Sequence, residues 1–265
     1  MSKETNRASA SLYNMINEMY RKNIEISRIT KTAAVLLETG MSVENINPKI
    51  VNRCVESQNA DGGFIGTGDT VWNTKLLKHY SPRFDAETGR AVEWLKDSGH
   101  KEGGYGRNRR DMRRIPSTGL TLYLLPELAS PDHLNWLENT WKTEINSLTY
   151  KAAYTLLAFH SCGYNPKDDN LIKNTLQWLS SQQEDNGGFA PWKSHPVGTN
   201  VYCTAVALLG FMTYAMNEYR KEIEKAYQYM AQTQLPTGIW RYHEIEDGAS
   251  WGLLAMTKFE EICTG

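Results

Sequence analysis

Five arginines lie between positions 107 and 114 of the chain: Arg107, Arg109, Arg110, Arg113 and Arg114, with only Asp111 as an acid among them. Guanidinium groups are planar forks that grip phosphate oxygens two at a time, so a run this dense suits a phosphate or diphosphate. The competing reading is a solvated loop neutralised by Asp111 and neighbouring acids. Two aspartates, Asp69 and Asp247, adjoin the starts of small, apolar helical stretches. A carboxylic acid held protonated in an apolar pocket can act as a general acid, although capping a helix N-terminus is an equally good use for either side chain. The same stretches carry Trp72, Tyr123, Tyr150, Tyr154, Tyr202, Phe211 and Trp251. In a dry cavity, aromatic faces stabilise a cation by about 0.5–2 kcal/mol each. The plainer alternative is that several of them fill a core.

Other chemistries are less well served. His195 and His243 fall in loops and Cys203 on a helix, but no His/Cys pair has metal-ligand spacing, so zinc is not expected. Magnesium bridging a bound diphosphate is chemically compatible, though no motif demands it. The 29 basic and 30 acidic side chains nearly cancel, which gives no reason to expect nucleic acid as a partner. There is no run of about 18 apolar residues to cross a bilayer, and the polar start MSKETNRASAS lacks the apolar core of a signal peptide. Four cysteines without CxxC spacing are expected to be free thiols. The expected setting is cytoplasmic.

The elements that must position these residues come from a repeat. Residues 57–64 read SQNADGGF, 98–105 read SGHKEGGY, 181–189 read SQQEDNGGF and 233–240 read TQLPTGIW. The glycine pairs begin at 62, 103 and 187, spaced by 41 and 84 residues, and Gly238 follows 51 residues later. A period near 42 signals repeated supersecondary units, and the chain has room for about six. Apolar periodicity predicts twelve helices near 8–21, 25–39, 47–58, 70–80, 85–98, 116–128, 131–142, 147–162, 168–183, 199–214, 217–234 and 248–262. Asn47-Pro48, Pro116-Ser117 and Ser130-Pro131 fit helix starts. Charged-faced helices alternate with helices apolar all round, such as Ala152–Leu157 and Ala205–Gly210, which must be buried on every side. The expectation is therefore an all-α chain, 1–265 forming one α6/α6 barrel of six helical hairpins with six inner and six outer helices. An open solenoid is the competing layout.

The phrases Gln58-Asn59-Ala60-Asp61-Gly62-Gly63-Phe64 and Gln183-Glu184-Asp185-Asn186-Gly187-Gly188-Phe189 resemble the Q-x-x-x-G-G-W/F repeat of terpene cyclases and protein prenyltransferase β-subunits. Gly104-Tyr105-Gly106-Arg107 through Pro116-Ser117-Thr118-Gly119 is similar to a segment of triterpene cyclases, and residues 202–209 and 250–255 look like that superfamily's inner helices. The resemblance covers about 50–262 and implies the α/α toroid of squalene–hopene cyclases. It also implies that Gln58, Gln183, Phe64, Tyr105, Phe189 and Trp240 are structural, closing helix ends and packing between units. The superfamily's Asp-x-Asp-Asp-Thr acid motif is matched here by Gly66-Thr67-Gly68-Asp69-Thr70, which keeps Asp69-Thr70 and has glycine at the presumed donor position, Gly68.

On this resemblance the expected function is isoprenoid processing. The substrate would be a prenyl diphosphate in the central cavity, with Asp69 or Asp247 as acid, the arginine loop on the anion and the aromatics lining the chain. Two alternatives stand beside it. One is a non-catalytic toroid that binds lipid or peptide, or serves as one subunit of a prenyltransferase-like complex with a protein partner. The other is a helical-ring enzyme acting on polysaccharide, which needs paired carboxylates; Glu244, Glu246 and Asp247 are the candidates.

Overall fold

The computed structural model describes residues 1–214 and 216–264. Among the described residues there are twelve α-helices: α1 (Lys3–Arg21), α2 (Ile26–Glu38), α3 (Pro48–Glu56), α4 (Thr67–Lys78), α5 (Asp85–Ser98), α6 (Ile115–Leu124), α7 (Pro131–Glu144), α8 (Thr149–Ser161), α9 (Leu171–Ser181), α10 (Val201–Tyr214), α11 (Arg220–Thr233) and α12 (Ile245–Thr264). No named strand occurs among the described residues; Phe189 and Asn200 form an isolated bridge. Each expected helix is found. The largest boundary differences are at α1, which already begins at Lys3, and at α6, which stops at Leu124 because Pro126 cannot supply an N–H, and Pro126–Leu128 forms a separate 3₁₀ turn. Asn47 and Ser130 cap α3 and α7 by accepting from Lys49 and His133 N–H groups.

The even-numbered helices form the inner layer. α2 packs on α4, α4 on α6, α6 on α8, α8 on α10, α10 on α12, and α12 returns to α2. That last contact closes the ring and rules out the open solenoid. The odd-numbered helices lie outside, α1 against α2 and α12, α5 against α4, α7 against α6 and α8, and α11 against α10 and α12. Inner-helix residues such as Ala33, Ala34, Ala152, Ala153, Ala205 and Ala207 are fully buried, so small side chains let the inner helices pack closely.

The repeat loops fasten neighbouring units. Gln58 Nε2 donates to the Gly62 carbonyl and to the Glu87 carbonyl in the first turn of α5, both at 2.9 Å. Gln183 repeats this with Gly187 and Glu222 of α11, again at 2.9 Å. Gly62 and Gly187 hold φ of +89° and +84°, and a Cβ there would meet the Arg90 and Lys225 carbonyls at 2.4 and 2.6 Å. Only glycine meets both requirements. The ring residues Phe64, Tyr105, Phe189 and Trp240 are all nearly fully buried. The repeat is structural in this chain.

Candidate functional site

The first turns of the inner helices converge on one mouth, where two adjoining cavities open. The first, about 420 Å³, is lined by Ser27, Arg28 and Lys31 of α2, Gly68, Asp69 and Trp72 of α4, Pro116, Ser117 and Leu120 of α6, Tyr154 of α8, Tyr202 of α10, and Glu246 and Asp247 of α12, with Arg107 and Glu244 from loops. The second, about 640 Å³, shares Arg107, Pro116, Ser117, Tyr202 and Asp247 with it and adds Arg113, Arg114, Tyr150, Lys151, Glu144 and Tyr242. Every inner helix therefore points its N-terminus, and its partial positive charge, at one end of the ring.

The two lobes differ in charge. Asp69, Glu244, Glu246 and Asp247 face Arg28, Lys31 and Arg107 in the first. Arg107, Arg113, Arg114 and Lys151 outnumber Glu144 and Asp247 in the second. Many of these charges are already matched. Arg28 pairs with Glu246, Lys31 with Asp247 and Lys151 with Glu144. Arg114 clasps Asp111 through two bonds of 2.8 and 3.2 Å. Arg113 donates to the Glu102 carbonyl at 3.2 Å and lies over the Trp136 ring. Arg107 lines both lobes, and its guanidinium has no hydrogen-bond or ion-pair partner among the described residues.

The five-arginine group expected from the sequence is thus divided. Arg109 turns away from the mouth, donating to Ser98 Oγ at 3.1 Å and stacking 4.9 Å over the Trp94 ring. Arg110 is exposed and lines neither lobe. The reason is local: the loop is folded by Asn108 and Asp111 accepting from the Arg110 and Arg107 N–H groups, which directs successive side chains to different faces.

Asp69 and Asp247 both sit inside the first turn of their helices, so neither is the N-cap residue; Gly66 holds that place on α4. Burial, reinforced by the nearby Glu25 charge, raises the Asp69 carboxyl above its ordinary value, with Ser27 and Lys31 pulling the other way. Burial also works on Glu246, but the Arg28 hydrogen bond, a backbone N–H and the Arg28 and Lys31 charges together outweigh it and hold that carboxyl low. Burial brings the Lys31 ammonium down to about 8, against the pull of Glu244, Glu246 and Asp69.

Beside Asp69 the wall is aromatic. Trp72, Tyr154 and Tyr202 line the first lobe, and the Tyr154 and Tyr202 hydroxyls meet at 3.0 Å. Tyr150 reaches the second lobe only. Trp251 lies beneath both, 1% exposed, with edge contacts to Trp72, Tyr154 and Tyr202. Tyr123 stacks on Trp251 from the far side and lines neither lobe. Phe211 is fully buried against Phe189, as a core residue.

Lys31, Arg28, Ser117 and Lys151 were not anticipated. For Lys31 the signal was present: it is the single charged residue between Ile29 and Leu37 on an otherwise apolar helix. Such a lysine must be paired or face a cavity.

The model of the prenyltransferase alpha-alpha toroid domain matches residues 70–140 and 130–250, more than half of the chain. The chain belongs to that family. This toroid is 31% identical over 108 residues to lanosterol synthase of Candida albicans, an alignment covering 37% of the toroid and 14% of that protein. The type II terpene cyclase MstE from Scytonema has the same fold, with a TM-score of 0.73 at 14% identity, covering 97% of this toroid and 99% of the MstE chain. A variant of MstE in complex with geranylgeranyl dihydroxybenzoate, its substrate, superposes with a TM-score of 0.71 at 14% identity, over 97% and 99% of the two chains. An ent-copalyl diphosphate synthase from Streptomyces platensis gives 0.59 at 13% identity, over 86% of the toroid and 50% of that chain. Among the described residues of the toroid no helix is long and apolar enough to cross a membrane, all four cysteines are free, and no three His, Cys, Asp or Glu side chains are grouped to hold a metal ion.

Proposed function

We propose that the toroid is an isoprenoid-processing enzyme of terpene cyclase type, taking an isoprenoid with an anionic head, such as a prenyl diphosphate, and carrying it through carbocation steps in the mouth cavity. The observation that carries this reading is the position of Asp69: a carboxyl shifted toward its protonated form by burial, in a cavity walled by Trp72, Tyr154 and Tyr202. The protonated acid would donate to the terminal double bond of the chain. The carboxyl O–H bond breaks as the new C–H bond forms and leaves a tertiary cation. The π electrons of the next double bond close on it and move the charge along the chain. Loss of a C–H proton, or addition of water with loss of its proton, then restores neutrality and replaces the proton that Asp69 gave. The aromatic faces lower the energy of that cation. Arg107, between the lobes and without an ionic partner, would hold the head group, with Arg113, Arg114 and Lys151 adding positive potential in the second lobe. A magnesium ion accompanying a diphosphate would add charge neutralisation there.

MstE and lanosterol synthase, the proteins this toroid resembles, support the reading by fold and by partial sequence likeness. Incubation with geranyl, farnesyl and geranylgeranyl diphosphates, followed by extraction and mass spectrometry, tests it. Cyclised or hydrated products absent from an Asp69→Asn control are expected; no product from any of them would overturn it.

One observation favours a binding protein instead. Lys31 Nζ lies 5.4 and 5.6 Å from the Trp72 and Trp251 ring centres, so a resident cation already occupies aromatic faces that a carbocation would use. Recovery of an unchanged, tightly held lipid from the purified protein would support that second reading.

A further inference from the structure

The repeat loop before α6 lacks the clasp that the other three share. Its backbone turn is the same: His100 N–H bonds to the Gly104 carbonyl and Gly103 N–H to the His100 carbonyl, as Asn59 and Gly62 do with Gly63 and Asn59. That register puts Gly99 where the other loops have Gln58, Gln183 and Gln234. The vacant place is filled from the opposite direction. His133, the third residue of α7, stands where α5 has Glu87 and α11 has Glu222, and its ring lies so close that a Cβ on Gly99 would meet it at 2.7 Å. Gly104 N–H donates to His133 Nδ1 at 2.8 Å, and the Tyr105 ring lies against the imidazole with centroids 4.6 Å apart. In the sister loops the matching N–H groups, those of Gly63 and Gly188, go instead to Asp61 and Asn186 of their own loop.

We propose that His133 is the positioning residue of the arginine loop, and that it holds Arg107, Arg113 and Arg114 at the mouth only while its imidazole is neutral. An Nδ1 that accepts from a backbone N–H has its lone pair engaged, so the ring proton sits on Nε2 and a second proton cannot be added without breaking that bond. An imidazolium would set its own N–H against the Gly104 N–H, in the first turn of α7, where the helix dipole also disfavours a cation. The loop is built outward from this joint. Arg113 donates to the Glu102 and Gly103 carbonyls at 3.2 and 3.4 Å, and Arg114 N–H donates to the Tyr105 carbonyl at 2.9 Å. His100 Nε2 donates to the carbonyl of Asp111, whose carboxylate clasps Arg114.

Charged and titratable groups reach the imidazole from its own helix and from the loop. Burial lowers its proton affinity below the ordinary value of 6.5, Asp132 beside it on α7 works the other way, and His100 of the loop lowers it again. Arg113, bonded to the neighbouring Gly103 carbonyl, adds a further positive charge, and Tyr105 stays neutral; α5 meets the ring at Gly99. In an opened loop the ring returns to 6.5. The neutral ring therefore stabilises the closed loop above 6.5, and that contribution is lost as pH falls from there through the closed-loop value, each unit multiplying the open population by up to about tenfold. The bearing on a bound head group rests on the anion-binding reading of the second lobe, whereas the joint is tested without a ligand, so the two fail separately.

The test is hydrogen–deuterium exchange of the full chain at about pH 7.5 and 5.5, read by mass spectrometry and corrected for the intrinsic exchange rate. Opening of residues 100–106 is expected to rise about three- to tenfold at the lower pH, while the glutamine-clasped loops 59–65 and 184–190 change by less than about twofold. His133→Asn places an amide oxygen near the Nδ1 position and does not titrate; it is expected to keep the protection at pH 7.5 and to abolish the rise. A wild-type loop 100–106 that follows the two glutamine-clasped loops at both pH values would overturn the proposal, whether or not the variant folds. An equal rise in a folded His133→Asn would overturn it as well.

Discussion

Gln234, on the last repeat loop, donates through Nε2 to the backbone carbonyl of Glu4 in the first turn of the first helix, at 2.9 Å. The same amide also donates to Gly238 at 3.0 Å. This is the bond pair that Gln58 and Gln183 make within the ring, so the chain's two ends are joined by the device that joins its interior units. Gln234→Leu would remove the amide donor from the Glu4 and Gly238 carbonyls and the amide acceptor from the Arg7 guanidinium at a largely buried site, and a loss of about 2–4 kcal/mol is expected in urea unfolding. Gln183→Leu should behave alike, because its two donor bonds are the same.

Glycine conformation gives a second, sharper contrast. Gly62→Ala places a methyl group 2.4 Å from the Arg90 carbonyl at φ +89°, and a destabilisation of about 3 kcal/mol or more is expected. Gly68 lies inside α4 with nothing within 4 Å of its missing Cβ. Gly68→Ala should therefore raise stability by about 0.5–1 kcal/mol. Both values are read from chemical denaturation midpoints.

At the opposite end of the ring, Glu38 of α2 accepts from His79 Nε2 at 2.7 Å and pairs with Lys75 at 3.1 Å. Burial works against its ionised form, but these two partners outweigh it and hold the carboxyl at about 2. A depressed folded-state value means that the contribution to stability is present above the ordinary value of 4.5 and fades as pH falls toward 2. Allowing for solvent screening, Glu38→Gln is expected to remove about 1–2 kcal/mol at pH 7 and no more than about 0.5 kcal/mol at pH 2. Unfolding curves at the two pH values check it.

Arg107 and Arg109 separate a cavity role from a loop role. Arg107→Glu is expected to weaken binding of farnesyl diphosphate by about tenfold or more, since it reverses an unpaired charge between the lobes. Arg109→Glu, directed toward Trp94, is expected to leave affinity within about twofold. Calorimetric titration distinguishes the two.

The ring was legible because its determinants are local and repeated. A glutamine, a glycine at positive φ and a buried aromatic recur at one spacing, and all-round apolar helices have nowhere to lie except inside. The direction of the inner helices followed from the same order of outer helix, loop and inner helix. The site was legible only in part. Asp69, Trp72, Tyr154, Tyr202 and Arg107 come together as expected, while Arg109, Arg110 and Tyr123 do not. Sequence spacing cannot tell which way a side chain leaves a folded loop, and the Asn108 and Asp111 turns that divide the arginines depend on coordinates. The pairing of Lys31 with Asp247 joins residues on the first and last inner helices, which only ring closure brings together.

The central claim is that Asp69 is a proton donor in an isoprenoid cavity. Its raised carboxyl value gives the folded state its greatest benefit below the ordinary aspartate range, and that benefit is lost as pH rises through the folded value. Asp69→Asn is accordingly expected to be at least as stable as wild type at pH 7, so a loss of activity would not reflect unfolding. The decisive measurement is product formation from geranylgeranyl diphosphate by wild type and Asp69→Asn, with thermal unfolding recorded on the same samples. Product from wild type, reduced about a hundredfold or more in an equally stable variant, is the expected result. Equal turnover by the two proteins, or none by a folded wild type, would contradict it.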